Sequence, residues 1–204
     1  MVLQCLGNSE TSYVVLPAEP SAARNTLHAL QVTSRSPMGG LALHAGAIRV
    51  ANHWITLLGC AAWAHPAWND LGGPVKGYER LGALYIAFDA LGGAFAVDGG
   101  GLGGTPGTVS YFGPRELRWI SLDVGYSQFL RWATSARTAE FYATERWEGA
   151  DGEVAALAPG QVIAIYPPLW AQGEPLGERH RSSIAAHEAF CAQQLVAEQL
   201  GSPR

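Results

Sequence analysis

The sequence predicts an α+β fold in which a mostly antiparallel central sheet is flanked by helices. Between residues 81 and 132, short apolar and aromatic runs alternate with Asp/Gly turns, which is typical of antiparallel strands. Apolar residues at helical spacing occur before and after this stretch rather than between its strands. No internal repeat or linker divides the chain, so we expect residues 1–204 to form one domain with a core from about 16 to 195.

The N-terminal elements are a helix and a group of strands. Apolar residues at helical spacing predict a helix over Ala22–Leu30, after an entry that carries proline near the helix start. Short apolar runs then predict three strands, at Leu41–Ala45, Ala47–Val50 and His53–Leu58. Residues 60–80 are predicted to form a loop that is unusually rich in large aromatic side chains for a loosely packed segment.

The central elements are strands that lead into a helix. The four strands are predicted at Ala83–Phe88, Ala94–Asp98, Val109–Phe112 and Leu117–Leu122. The amphipathic segment Tyr126–Ala136 is predicted to be a helix with Ser127 as its N-cap. We expect its Phe129, Leu130 and Ala133 to pack onto the sheet.

The C-terminal elements are a helix, a strand and a last helix. Thr138 can cap a helix that runs through Trp147. The apolar run Val162–Tyr166 predicts a strand, and residues 172–181 are predicted to form a polar loop. Ser182 or Ser183 is expected to cap the last helix.

Composition and charge exclude several classes of protein. A net charge of −4 with thinly spread Lys and Arg argues against nucleic-acid binding. The three cysteines are widely spaced and odd in number, which favours reduced thiols in a cytoplasmic protein over a disulfide framework. No apolar window is long enough to span a membrane, and no signal peptide is predicted.

The glycine run from Gly99 to Gly104 matches the G-x-G-x-x-G pattern of dinucleotide-binding proteins. That motif requires a helix to open directly after it, whereas this run is followed by the strand-like segment Val109–Phe112. We therefore expect a hairpin connection that binds no dinucleotide, with an anion-binding nest of backbone N–H groups as the remaining alternative.

No catalytic residues and no metal or other cofactor are predicted. A zinc site built from His53, His65 and Asp70 is a minor alternative, and His65 is otherwise expected at the surface. Cys60 is expected to be an inert buried thiol. Asp89 and Asp98 each precede a glycine-containing turn, so turn formation is the simplest interpretation of both carboxylates.

The seven tryptophans are the clearest compositional excess. Most should be buried, since each ring covers a large apolar area. Trp63, Trp68 and Trp170 lie in loop-like or strand-end segments close to prolines, so we predict that they form a recognition surface together with His65.

Several segments resemble a bacterial family of unknown function. They are LQVTSRSPMG, DALGGAFAVDGG, YFGP, GYSQFLRW, FYATERWEG and YPPLW. The resemblance covers the chain from about Leu16 to Leu195 and implies no activity. The order of strands, glycine-rich loop and helix is also similar, more weakly, to the SUKH superfamily, many of whose members are immunity proteins that neutralise bacterial toxins.

Two functions follow from these observations. The first is a non-enzymatic protein-binding module, such as a toxin-immunity protein, whose partner is a protein toxin or another protein. The second is a small-molecule-binding protein or hydrolytic enzyme with a pocket near Trp63, His65 and Trp68. A deep pocket that holds His65, Asp70 and Arg80 would favour the second, and a broad apolar patch the first.

Overall fold

Seven antiparallel strands form one sheet in which each strand pairs with its neighbours along the chain. The computed structural model of the protein describes residues 6–71 and 82–201. The strands are β1 (Val14–Pro17), β2 (Ala45–Val50), β3 (Ile55–Leu58), β4 (Ala83–Asp89), β5 (Ala94–Asp98), β6 (Thr108–Phe112) and β7 (Trp119–Gly125). They follow each other in the sheet in chain order, as a meander. The predicted α+β class with an antiparallel central sheet and flanking helices is confirmed.

The helices lie before, between and after the strands. They are α1 (Pro20–Leu30), α2 (Pro37–His44), α3 (His65–Trp68), α4 (Tyr126–Ala133), α5 (Thr138–Phe141), α6 (Ala150–Ala156) and α7 (Ala186–Gln199). Within the described residues, none of them has the length and apolar character needed to cross a membrane.

A second, two-stranded sheet follows α6. It is the hairpin of β8 (Gln161–Tyr166) and β9 (His180–Ala185), which pair along their full length. The Ile163 N–H donates a hydrogen bond of 2.8 Å to the Ala90 carbonyl, which directly follows β4. This bond holds the hairpin at the end of the large sheet where the β4–β5 turn lies.

One face of the large sheet is covered by α4. Phe129, Leu130 and Ala133 are buried on that face, and the Phe129 ring lies 5.0 Å from the Phe95 ring between centroids. The prediction that these three residues pack onto the sheet is confirmed. Burial of three apolar side chains at helical spacing is what holds a helix of only eight residues against the sheet.

The opposite face is covered by α7 and by the segment around α3. Phe190 of α7 contacts Tyr85 and Phe112, with ring centroids 5.4 and 5.3 Å apart. Apolar residues therefore line both faces of the central strands, which explains why these strands contain long apolar runs instead of a clean alternation.

The predicted strand at Leu41–Ala45 is wrong, because residues 37–44 form α2. The Ser36 hydroxyl accepts a hydrogen bond of 3.0 Å from the Gly39 N–H, and Pro37 occupies the first turn. An N-cap serine followed by proline is a helix start signal. It outweighs a short apolar run, whose period alone does not separate helix from strand.

The helix predicted from Thr138 through Trp147 is also wrong in its extent, since α5 ends at Phe141 and only a short 3₁₀ turn follows at Ala143–Glu145. Ser182 and Ser183 do not cap the last helix, because they belong to β9 and pair with β8. These two serines belong to a cross-strand ladder whose partner residues lie 18 and 20 positions away, which local capping rules do not anticipate.

Smaller boundary differences occur at β7 and α4. Leu117 has a φ of +51° and lies in the turn before β7, so this strand begins two residues later than predicted and extends to Gly125. The helix α4 begins at Tyr126, where the Gln128 side-chain oxygen accepts a 3.0 Å hydrogen bond from the Gly125 N–H, and Ser127 is not its N-cap.

Candidate functional site

Trp68 lies in the packed layer between the sheet and α7. Its side chain is 3% exposed, and its ring stacks on Phe88 at 5.5 Å with an interplanar angle of 5°. Phe190 and His187 of α7 pack against the same ring. A ring held on both sides in this way contributes to the core and is not presented to solvent.

His65 is fully buried, so its expected position at the surface is wrong. Asn69 exchanges two hydrogen bonds with the backbone of Tyr85, and its amide nitrogen also lies 3.0 Å from His65 Nδ1. Since that nitrogen donates, Nδ1 accepts and the proton resides on Nε2. Burial lowers the pKa of His65 from 6.5 to about 3, so the ring is neutral.

Trp63 is half-buried and packs on a chain segment from the C-terminal half. Its ring makes an edge contact with Phe88 at 6.3 Å. It also covers Gly160, which precedes β8 with a φ of +80° and where an added Cβ would lie 3.0 Å from the indole. Trp63 thus fastens the start of the β8–β9 hairpin to the second face of the sheet.

Trp170 is the exposed member of the predicted set, with 41% of its side chain accessible. It lies at a mostly apolar cleft of about 220 Å³, which we call the Trp170 cleft. The cleft is lined by Leu91, Pro114, Ile163, Pro168, Trp170 and Val196, among others. Leu91 and Pro114 belong to the β4–β5 and β6–β7 turns, which lie at the same end of a meander.

The polar group at the Trp170 cleft is Gln193 of α7. Its amide nitrogen donates a long hydrogen bond of 3.4 Å to the Leu91 carbonyl and lies close over Gly92. Its Oε1 is buried and has no hydrogen-bond partner among the described residues. A buried acceptor without a donor is costly, so this atom is a point where a bound molecule gains free energy by supplying an N–H or O–H group.

The loop that carries Trp170 is held by Arg179. Its guanidinium donates to the carbonyl oxygens of Pro167, Pro168, Glu174 and Ala171, at distances of 2.8 to 3.3 Å. The planar fork of arginine suits several acceptors at once. The loop between β8 and β9 is therefore fixed by one side chain that bonds to four points of its backbone.

Asp89 is a buried carboxylate that sequence reasoning assigned only to a turn. Its Oδ1 accepts the Leu91 and Gly93 N–H groups at 2.9 and 2.8 Å, which is the predicted role. Its Oδ2 accepts hydrogen bonds from the Tyr111 hydroxyl at 2.6 Å and the Tyr142 hydroxyl at 3.4 Å. Burial raises the pKa of Asp89, and these hydrogen bonds act in the opposite direction.

A second cavity, the Tyr111 pocket, adjoins the Trp170 cleft through Leu91 and Pro114. Its volume is about 200 Å³, and its chemically distinctive lining residues are Tyr111, Arg115, Glu116, Phe141, Tyr142 and Glu145. Tyr111 and Tyr142 separate the pocket from Asp89, and burial raises the pKa of both phenols well above the usual value. Their hydroxyls are thus protonated and donate to the carboxylate.

The glycine run from Gly99 to Gly104 joins β5 to β6 at the opposite end of the sheet, as predicted. The Asp98 carboxylate accepts three of its N–H groups, from Gly100, Leu102 and Gly104, at 2.6, 3.2 and 2.8 Å. The nest that could bind an external anion is therefore already filled by a side chain of the same chain. Asp98 thus forms the turn, as expected, and the anion-binding alternative is wrong.

The remaining candidates gain no support from the geometry. Across residues 6–71 and 82–201, no group of three or more His, Cys, Asp or Glu side chains is placed to hold a metal ion. His53, His65 and Asp70 are accordingly not brought together, and Arg80 lies outside the described residues. Cys60 is buried, and burial raises the pKa of its thiol.

The Tyr111 pocket was missed because its parts are far apart in the chain. Tyr111 and Tyr142 follow Asp89 by 22 and 53 positions. The usable signal was the set of segments on which the family resemblance rests, since DALGG, YFGP, FYATE and YPPLW all supply residues to the two adjoining cavities.

Comparison with known proteins gives relatives without an assigned activity. The sequence profile of the family described as "Protein of unknown function DUF2625" matches residues 1–189. The chain is 38% identical over 175 residues to "Putative uncharacterized protein YbfG" of Escherichia coli (strain K12), spanning 83% of this chain and 79% of that protein. It is 29% identical over 170 residues to an "Uncharacterized protein" of Haemophilus influenzae, spanning 81% and 75%. No solved structure matches the chain.

Proposed function

Since the chain belongs to the family described as Protein of unknown function DUF2625, whose description names no activity, we propose from its own geometry that it is a non-enzymatic protein-binding module. The observation that carries this proposal is Trp170, exposed beside a mostly apolar cleft. Tryptophan is enriched among interface hot spots, which cluster in well-packed, desolvated pockets.

The size of the Trp170 cleft favours a side chain of a partner over a whole metabolite. Its volume is about 220 Å³, whereas pockets that enclose a drug-sized ligand measure about 300–1,000 Å³. One or two apolar side chains fill such a space, and a backbone N–H beside them would satisfy Gln193 Oε1. The expected occupant is therefore a protein segment with an apolar anchor residue.

The surroundings of the cleft also favour binding. Tyr166 at the end of β8 is 71% exposed, which extends the aromatic surface beyond Trp170. The loop between them is held in place by Arg179, so little conformational entropy is lost when a partner docks. A rigid loop with exposed aromatic side chains is the arrangement that protein interfaces commonly use.

The buried carboxylate of Asp89 is less suited to catalysis than its position suggests. Four donors already occupy its two oxygens, namely two backbone N–H groups and the hydroxyls of Tyr111 and Tyr142. A general base needs a free lone pair within reach of the proton that it removes. This geometry supports a structural role for Asp89 and a binding role for the protein.

The partner class that we favour is a protein toxin, because the similarity to the SUKH superfamily implies an immunity protein that works in the cytoplasm. The alternative, a small-molecule-binding protein or hydrolytic enzyme with a pocket near Trp63, His65 and Trp68, has less support. His65 and Trp68 are buried in the packed layer, so that pocket would require the core to open.

The test compares two changes at the cleft with one elsewhere. Trp170→Ala removes the exposed ring, and Ala192→Phe places a ring into the cleft from an exposed position on α7. Tyr13→Ala is the control, since Tyr13 is exposed but does not line the cleft. The partner is captured by cross-linking to the wild-type protein, purified, and titrated against each variant.

Both cleft variants should bind the purified partner at least about 30-fold more weakly, which is the loss expected at an interface hot spot. Their urea midpoints should match the wild type, and Tyr13→Ala should bind normally. Unchanged affinity in both cleft variants contradicts the proposal. A small molecule that co-purifies at one per chain and is displaced by Ala192→Phe contradicts it as well.

A further inference from the structure

The Tyr111 pocket differs from the Trp170 cleft in charge and in aromatic lining. We propose that it is a binding site for a small organic cation, an ammonium group on a short aliphatic stem. The proposal stands on residues other than those that carry the protein-binding function, so each can hold or fail without the other.

The arginine in the Tyr111 pocket is paired with a carboxylate of the same pocket. Arg115 Nε and Nη2 donate to the two carboxylate oxygens of Glu145 at 2.9 and 2.8 Å, and Nη1 donates to the Leu169 carbonyl at 3.4 Å. All three guanidinium nitrogens are therefore engaged. The bidentate pair also cancels the charge of Glu145 within the pocket.

Glu116 supplies the unbalanced negative charge. Its carboxylate makes no hydrogen bond or ion pair with the residues that the structure describes, although it acts electrostatically on Tyr111 and Arg115. Its Oε2 lies close to Gly113, so near that a Cβ at that position would overlap it. The absence of a side chain at Gly113 thus leaves room for this carboxylate beside the pocket.

Aromatic rings in the lining of the Tyr111 pocket also favour a bound cation. Phe141 packs edge-on against Tyr111 at 5.2 Å and against Tyr142 at 4.8 Å between ring centroids. Phe141 is 37% exposed, so part of its ring remains available at the pocket. An ammonium group within about 6 Å of such a ring is attracted by its π electrons.

The Tyr111 hydroxyl donates to Asp89 Oδ2 at 2.6 Å, and this hydrogen bond fixes the Tyr111 ring in the wall of the pocket. The pocket volume of about 200 Å³ holds an ammonium group and a short stem, but not a large metabolite.

The test uses defined probes and two variants. The probes are n-butylammonium, n-butanol as its uncharged analogue, and acetate as an anion, each titrated against the ¹⁵N-labelled protein with the amide shifts of Glu116 and Thr144 as readout. The variants are Glu116→Gln and Phe141→Leu. The matched control is Glu148→Gln, an exposed carboxylate that does not line the pocket.

We expect saturable shifts with n-butylammonium and none with n-butanol or acetate. Glu116→Gln should weaken n-butylammonium binding about fivefold or more, and Phe141→Leu about two- to fivefold, with Glu148→Gln unchanged. Equal binding of n-butanol, stronger binding of acetate, or wild-type affinity in Glu116→Gln would overturn the proposal.

A second arm of the test distinguishes a free amine from a lysine side chain of a protein partner. A peptide that contains lysine next to leucine is titrated in parallel with n-butylammonium. If the peptide binds more tightly than n-butylammonium, and this additional affinity is lost in Trp170→Ala, the natural ligand is a lysine side chain of a partner that occupies both cavities. Equal affinity assigns the site to a free amine, because the leucine then gains nothing from the cleft.

Discussion

At the scale of single residues, His65 shows how a polar side chain can be held in an apolar layer. Asn69 satisfies its Nδ1, while its Nε2 has no partner among the described residues. The neutral ring is tolerated there, but an added proton would place a charge inside the core. The free energy of unfolding must therefore depend on the protonation of this one residue.

The sign of that dependence follows from the direction of the pKa shift. The folded state lowers the pKa of His65 from 6.5 to about 3, so between these values the unfolded chain binds the additional proton. The stabilisation is complete above pH 6.5 and is lost as the pH falls towards 3, by about 5 kcal/mol in all. His65→Leu should be less stable than the wild type at pH 7 but show a flatter decline in acid.

Urea denaturation at half-unit steps from pH 7 to pH 4 measures this decline. The difference between the wild type and His65→Leu isolates the contribution of the histidine from that of the carboxylates, which are also protonated in acid. His28→Gln serves as the control, because His28 is an exposed histidine on α1 and its replacement should leave the acid decline intact. Parallel curves for the wild type and His65→Leu would contradict the prediction.

Only the local part of the role of Asp89 could be predicted from the sequence. An aspartate before Leu-Gly-Gly indicates a turn, and the bonds to Leu91 and Gly93 are local enough for that rule to hold. The bonds from Tyr111 and Tyr142 depend on the pairing of whole strands and on where α5 ends. Local patterns carry no information on either, so they do not predict the pocket around these residues.

At the scale of elements, the conformation of the loop between β8 and β9 is held mainly by the side chain of Arg179. The guanidinium reaches four backbone carbonyls, and lysine at the same position has neither the planar fork nor enough donors in the right directions. Arg179→Lys should therefore loosen the loop while the large sheet stays intact.

Hydrogen exchange at the Ala171, Glu178 and Arg179 amides detects this loosening, since each donates to a carbonyl within the loop. We expect exchange at these amides to become about tenfold faster in Arg179→Lys, which corresponds to losing one charge-assisted hydrogen bond. Amides of β4 and β5 should be unchanged. Arg24→Lys on the exposed side of α1 is the control, and equal exchange in both variants would mean that the loop is fixed by other contacts.

The type of an element was predictable where the spacing of its apolar residues and the turn residues on either side indicated the same structure. It was not predictable where an apolar run and a capping pattern indicated different structures. The strands at Ala94–Asp98 and Val109–Phe112 are bounded by glycine-containing connections and were predicted to within one residue. The helix α2 was mistaken for a strand because a short apolar run suits either state. There, the capping bond of Ser36 decides the outcome.

At the scale of the whole molecule, the meander determines where the two cavities lie. Alternate turns of a meander fall at the same end of the sheet, so the β4–β5 and β6–β7 turns bring Leu91 and Pro114 together. The hairpin and α7 then complete the Trp170 cleft, and α5 contributes to the Tyr111 pocket. The antiparallel sheet was predictable from its strands, but the docking of the hairpin at Ala90 depends on long-range contacts, such as the Ile163–Ala90 bond, that no sequence pattern signals.

The docking of the hairpin at Ala90 also implies an order in which parts of the protein fold. The β4–β5 pair closes a turn of a few residues, whereas the Ile163–Ala90 bond closes a loop of about 70 residues and so forms more slowly. In pulse-labelling exchange during refolding, the amides of the paired residues Ala87 and Phe95 should gain protection before that of Ile163; simultaneous protection would count against this order. A ribosome that has translated the chain only as far as Pro168 would hold a nearly complete sheet with no Trp170 cleft. Recognition of the partner would then begin only after α7 has been synthesised.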